Sequence, residues 1–206
     1  MVRKNKILCS DNQLSYVEDI VLRCFFPEGD EKEIKDIKEI SGYSYERINT
    51  SLKKLEEKKI VSSKKVGRTL VYKADYNNLY LKLAFNHYIT ETLINFSNKH
   101  PIIYKAINEI KTDSEIVLVF GSYSKGNETK NSDIDLMIVS SSEREAEKQI
   151  NSIKSKYGLN IAPVFVKKSE FPKIKKENPE LWADLKNYSL VFNRSGLYYS
   201  WMYQNE

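Results

Sequence analysis

The chain has 206 residues, 41% of them hydrophobic, with 33 basic against 28 acidic side chains and a formal charge of +5. That is enough for one substantial core or two small ones, since domains typically run about 100 to 150 residues. No apolar run approaches the roughly 20 residues that span a bilayer, and the start, Met1-Val2-Arg3-Lys4-Asn5-Lys6, leads into no apolar signal segment, so a soluble, cytoplasmic protein with no membrane partner is expected.

Cys9 and Cys24 lack metal-site spacing and are too few for a disulfide scaffold, so both read as reduced and structural. His87 and His100 lie far from each other and from any nucleophile motif, which leaves zinc and Ser-His chemistry little to work with. The net charge is mild, and only local clustering of basic residues can argue for nucleic acid.

From Leu14 to Phe26 the apolar residues Val17, Ile20, Val21, Cys24 and Phe25 recur at steps of three and four, the stripe of an amphipathic helix, and Pro27-Glu28-Gly29 ends it. Asp30 and Glu33 form a candidate capping box for a short second helix that carries Ile34, Ile37 and Ile40 on one face and stops at Gly42. Ser44 then caps a third helix whose expected buried face is Tyr45, Ile48, Leu52 and Leu55. Two helices joined by a tight glycine turn form a helix-turn-helix. Ile60-Val61 and Thr69-Leu70-Val71-Tyr72, around Val66-Gly67-Arg68, predict a two-stranded hairpin. Between Lys53 and Lys73 eight basic residues stand against Glu56 and Glu57 alone.

This order of elements, with SGYSYERINTSLKKLEEKKIVSSKKVGRTLVYKAD, resembles the winged-helix repressors of the ArsR and MarR type over roughly Leu14 to Asp75. The resemblance implies double-stranded DNA as a partner and Ser44 to Lys58 as the recognition helix. Arg47 and Asn49 would reach base edges, while Lys53, Lys54, Lys64, Lys65 and the wing tip at Arg68 would contact phosphates. The competing reading is a small packing or protein-interaction module with a solvated lysine face.

Asn77 to Asn98 carries an apolar surface too wide for a lone surface helix, from Leu79 through Phe96, so it must pack against something. An interdomain strut and a self-association surface both suit it. Regulators that read two half-sites usually dimerise, which makes a homodimer the expectation by analogy. Pro101 restarts the chain for a shorter helix, Ile102 to Lys111.

Ile116-Val117-Leu118-Val119-Phe120 is an apolar run of strand length ending in Gly121-Ser122, where glycine lets backbone approach a ligand and serine offers a hydroxyl and backbone N–H groups to an anion. Asp133-Ile134-Asp135-Leu136-Met137-Ile138-Val139 again has strand character. Alternation would put Asp133 and Asp135 on one face, where they repel unless a hard cation such as magnesium joins them. A phosphate turn with paired acids predicts phosphoryl or nucleotidyl transfer.

VFGSYSKGNETKNSDIDLMIV resembles the signature of the DNA polymerase beta-like nucleotidyltransferases, especially the minimal prokaryotic enzymes, over roughly Tyr104 to Phe165. The resemblance implies an α+β fold with a mixed sheet and flanking helices. It implies Gly121, Ser122 and Lys125 at the phosphates of a nucleoside triphosphate, ATP favoured. Asp133 and Asp135 would be the catalytic carboxylates and the ligands of Mg2+. Members generally add a third carboxylate on a following strand, but Leu159-Asn160-Ile161-Ala162-Pro163-Val164-Phe165-Val166 contains no acid. Asn160 can lend an amide oxygen but not a base, and Glu170 lies just beyond. The tail, with Trp182, Leu185, Val191 and Tyr198, predicts helices and a closing strand or hairpin.

The expected organisation is a winged-helix DNA-binding domain (1–76), a connecting helix (77–100) and a nucleotidyltransferase-fold domain (101–206). The expected protein is a DNA-binding transcriptional regulator that binds Mg-NTP and transfers a nucleotidyl group to an unknown acceptor. The alternatives are a repressor with a catalytically degenerate nucleotide-sensing or dimerisation domain, and an antitoxin-type transferase acting on a partner protein or toxin.

Overall fold

The computed structural model describes residues 14–110 and 116–204; Cys9 and Lys111, both named above, lie outside them. Backbone contacts divide the chain into two compact units, Met1–Leu81 and Lys82–Glu206. Each is described by itself.

In the first unit α1 (Tyr16–Arg23) starts at a capping box, with the Ser15 hydroxyl accepting from the Glu18 backbone N–H and the Glu18 carboxylate accepting from the Ser15 N–H. A short strand β1 (Lys32–Glu33) leads into α2 (Ile34–Ser41). The capping box of α2 is Glu33 with Asp36, not Asp30 with Glu33. The pattern fits both pairs, and pairing β1 into the sheet moves the helix start three residues along. Gly42, left-handed at φ 71°, closes α2 as expected. α3 (Tyr45–Glu57) follows from Ser44, which holds the N-cap position without a side-chain capping bond.

The hairpin β2 (Val61–Val66) and β3 (Thr69–Ala74) turns at Gly67-Arg68, and the antiparallel sheet runs β1-β3-β2. Val21, Leu22, Phe25, Ile37, Ile48, Leu52 and Leu55 are fully buried and form the centre, with Ile60, Tyr72 and Ala74 from the hairpin side. Each such side chain contributes about 1.5 to 3 kcal/mol through burial. Tyr45 does not join them; it is 57% exposed, against the expectation of a buried face, and Ile40 is 58% exposed. Helical period fixes their angle on the helix, but no neighbour among the described residues covers it there. Glu18, at 2% exposure, is the acid of this core: Lys58 Nζ lies 2.8 Å and Lys54 Nζ 3.8 Å from its carboxylate. Burial pulls its pKa up, but the Lys58 hydrogen bond, the Ser15 N–H and the two ammonium charges outweigh that and leave it lowered. The Cys24 thiol is free and buried, its pKa pushed up to about 11 by desolvation, in keeping with a structural thiol.

α4 (Leu79–Lys99) opens at the boundary and lies largely in the second unit. It buries Leu81, Phe85, Tyr88, Ile89 and Phe96 but leaves Leu79, Leu83 and Ile94 exposed. α5 (Pro101–Asn108) begins on proline, which gives up no hydrogen bond at a first helical turn. Then come β4 (Ile116–Phe120), α6 (Gly121–Lys125), β5 (Ile134–Val139), α7 (Glu143–Tyr157) and β6 (Ile161–Val166). The chain closes with α8 (Ile174–Glu177), α9 (Pro179–Tyr188), β7 (Leu190–Val191) and α10 (Ser195–Tyr199).

The sheet order is β6-β5-β4-β7; β4 pairs antiparallel with β5 and β7, and β5 pairs parallel with β6. It is a mixed sheet with flanking helices, so the second unit is α+β. Val117, Val119, Ile134, Leu136, Ile138 and Ile161 pack with Ile103, Ala106 and Ile107 of α5 and Ala146, Ile150 and Ile153 of α7. By alternation Leu118 and Met137 face the other side, where α9 and α10 contact β4. That second face is also the one on which Asp135 falls. Among the described residues no helix is long and apolar enough to cross a membrane.

Candidate functional site

β4 and β5 are neighbours in register, Phe120 opposite Asp135, so the end of β4 and the start of β5 meet at one end of the two central strands. Asp133 stands immediately before β5 and is exposed, whereas Asp135 is half-buried on the strand. Two residues apart in extended backbone, the two carboxylates share a face. Asp135 has its pKa raised, first by burial and then by the charge of Asp133. Among the described residues no lysine, arginine or histidine nitrogen is paired with either acid, and no third histidine, cysteine or acid joins them in a metal-binding group.

Gly121 follows β4 at φ 69°, a conformation that strains any side chain. A Cβ there would also collide with Asp135 Oδ2 and sit 2.9 Å from its Cγ. Backbone freedom and absence of a side chain are both required, and together they let the turn close onto the carboxylate. The Ser122 carbonyl accepts from the backbone N–H groups of Gly126 and Asn127, the latter at 3.1 Å, which closes the turn behind it. Gly121, Ser122, Asp133 and Asp135 are thus brought together.

Lys125 is placed differently. Its ammonium is 2.7 Å from Asp184 of α9 and lies over the Tyr188 ring at 5.2 Å. That cation is already matched by an anion. Its partner was not foreseen, because Asp184 lies far along the chain.

Asn160 just precedes β6, and its side-chain amide donates to Asp133 Oδ1. The parallel pairing of Ile134 with Ile161 fixes this neighbourhood. The sequence offers Asn160 as an amide oxygen for a metal, whereas here its amide nitrogen donates to Asp133. Glu170 does not come near. It lies beyond the other end of β6, beside Ser140, Glu143 and Lys167, while the aspartates are at the start of the parallel pair. Glu170 therefore does not take the place of the missing acid, since six residues of strand span about 20 Å.

The Gly126-to-Ser132 connection is held by Glu128, which sets Oε1 at 2.7 Å from Lys99 Nζ and 3.1 Å from His100 Nε2 at the end of α4. No sequence signal pointed to this clamp. It fixes the loop between the glycine turn and Asp133.

In the first unit the basic residues separate into groups. Lys54 pairs with Glu18 and Lys64 with Glu31 at 2.6 Å, and Arg47 lies over the Tyr43 ring at 5.2 Å. Lys53, Lys65 and Arg68 are exposed. At 3.6 residues per turn, Arg47 and Asn49 stand about 160° apart on α3, on opposite flanks of its exposed face. Adjacent on β2, Lys64 and Lys65 point to opposite sides of the hairpin.

A relative from Methanocaldococcus jannaschii, provisionally named a protein adenylyltransferase, is 23% identical over 94 residues, which cover 42% of this chain. The chain spans 63% of the length of that relative. No solved structure matches the chain. Residues 102–189 match the family described as Nucleotidyltransferase domain, a stretch that runs from α5 to α9 and contains the glycine turn, both aspartates and Asn160. The chain therefore carries a nucleotidyltransferase domain over residues 102–189.

Proposed function

We propose that this domain binds a nucleoside triphosphate with Mg2+ and transfers its nucleotidyl group to a protein hydroxyl, with ATP as the favoured donor. The observation that carries the reading is the apposition of Gly121 to Asp135 beside Asp133, a cation-hungry pair of carboxylates under a turn that admits no side chain. The match over residues 102–189 and the name of the archaeal relative support nucleotidyl transfer and a protein acceptor.

The donor set fits the metal. Magnesium prefers oxygen ligands and is commonly held by one or two carboxylates plus substrate phosphates. Asp133 and Asp135 would be the metal ligands, and the Gly121 backbone with the Ser122 hydroxyl would receive the phosphates. When bound, the cation would neutralise charge building up on the phosphates. The acceptor oxygen bonds to the α-phosphorus, the α–β anhydride bond breaks, pyrophosphate leaves with the electron pair, and the acceptor proton passes to water.

We further read residues 1–76 as a winged-helix DNA-binding domain, 77–100 as the connecting helix and 101–206 as the nucleotidyltransferase-fold domain. Support comes from the order α1-β1-α2-α3-β2-β3 and from the exposed Lys53, Lys65 and Arg68. On this reading the protein is a DNA-binding regulator. A second reading, a nucleotide sensor without turnover, is favoured by one observation: Asn160, which cannot act as a base, stands beside Asp133.

The test is thermal unfolding of the wild type and of Asp133→Ala/Asp135→Ala with each nucleoside triphosphate plus magnesium. A ligand at 100 times its dissociation constant stabilises by about 2.7 kcal/mol. The expected outcome is a raised midpoint with ATP in the wild type alone. An equal rise in the double variant, or none in either protein, overturns the reading.

A further inference from the structure

We infer that Asn160 is a positioning residue that orients Asp133 and limits the site to a single divalent cation, carried in with the nucleotide. The inference rests on the proposed reading of Asp133 and Asp135 as metal ligands.

A carboxylate only accepts hydrogen bonds, so the nitrogen of the Asn160 amide must be the atom that faces Asp133 Oδ1. This has three consequences. One oxygen of Asp133 is engaged by the amide, which turns the other oxygen, with those of Asp135, toward a cation. The amide adds no charge, so the site offers two negative charges, the number that one divalent ion neutralises. Finally, the amide oxygen of Asn160 is directed away from Asp133, leaving no anionic ligand on that side to hold a second cation about 3.5 to 4 Å from the first. Among the described residues no further acid, histidine or cysteine completes such a group, and Glu170 is at the far end of β6.

The arrangement also bears on the metal-free protein. An acid at position 160 would set a third negative charge against two carboxylates that already repel, whereas the amide relieves Asp133 directly. The site is therefore built to wait without metal and to close around one ion and a triphosphate. With one cation and no base at position 160, transfer would be slow, the acceptor proton passing to water without help from this side of the site.

Mn2+ binding to the full chain, read by electron paramagnetic resonance, tests this directly, with and without α,β-methylene ATP as a non-transferable donor. The wild type is expected to bind one Mn2+ per chain with the analogue. Asn160→Asp is expected to bind two, with the spectral broadening of a coupled pair. Asn160→Ala is expected to bind one, about fivefold more weakly, the scale of one hydrogen bond lost. Because Asn160 is exposed, neither change disturbs the core. Two Mn2+ ions in the wild type, or unchanged affinity in Asn160→Ala together with one ion in Asn160→Asp, overturns this inference and leaves nucleotide binding standing. No site-specific Mn2+ in the wild type or either variant overturns the proposed function as well.

Discussion

Glu18 of the first unit and the aspartate pair of the second are treated in opposite ways. In the first unit the charge with most to lose from burial, Glu18, is met by Lys58 and Lys54 and by the Ser15 N–H, and Glu31 meets Lys64. In the second, Asp133 and Asp135 lie side by side with a neutral amide and a glycine turn for company and no cation among the described residues. A matched charge is accounted for by folding. An unmatched pair of like charges raises the free energy of the folded chain, and a bound cation is what relieves it. The contrast separates structural ionic groups from groups held ready for a ligand, and substitutions at Glu18, at Gly121 and at the basic residues of the first unit probe it.

The largest effect is expected on the matched side. Glu18→Ala leaves Lys58 without its carboxylate and opens the α1 capping box, and should lower stability by about 3 kcal/mol, measured by urea unfolding. The pH dependence has a definite sign. Glu18 has its pKa lowered below 4.5 in the fold, so its contribution is fully present above about pH 4.5 and is lost as pH falls through the lowered value. Glu18→Gln should flatten that acid limb; an unchanged limb would show that Glu18 is not its source.

Next comes Gly121→Ala, which should cost about 2 kcal/mol through positive φ and collision with Asp135, and should also abolish the response to Mg-ATP. Stability lost with the nucleotide response intact would separate the turn from the site.

The smallest effect concerns the lysines and arginine of the first unit. If it binds DNA, Lys65→Ala and Arg68→Ala should each weaken binding by about 1 kcal/mol and lower the salt slope by roughly one. Lys64→Ala, whose ammonium is already matched by Glu31, should change the slope less. Equal slopes for all three would remove the distinction between matched and unmatched charge here.

Much of the second unit was legible in advance because its signals are local. Five consecutive apolar residues ending in Gly121-Ser122, then Asp133 and Asp135 in alternation, specify a strand, a turn and a face without reference to the rest of the chain. What escaped depends on pairing between distant residues. Asn160 meets Asp133 only through the register of β5 and β6, Asp184 reaches Lys125 from α9, and Glu18 reaches Lys54 and Lys58 across the helices of the first unit. The exposure of Tyr45 has a related reason: periodicity gives an angle around a helix and does not say which neighbour covers it. The strand β1 was missed because two residues carry no period, and it moved the capping box of α2 from Asp30 to Glu33.

The central claim is that the unmatched aspartates and the glycine turn hold a metal–nucleotide complex. Equilibrium dialysis of labelled ATP against the full chain tests it most directly, with Mg2+, with a chelator, and with Asp133→Asn/Asp135→Asn. The account predicts saturable binding of one nucleotide per chain that requires both Mg2+ and the two carboxylates. Binding that survives the chelator or the double substitution undiminished would contradict it.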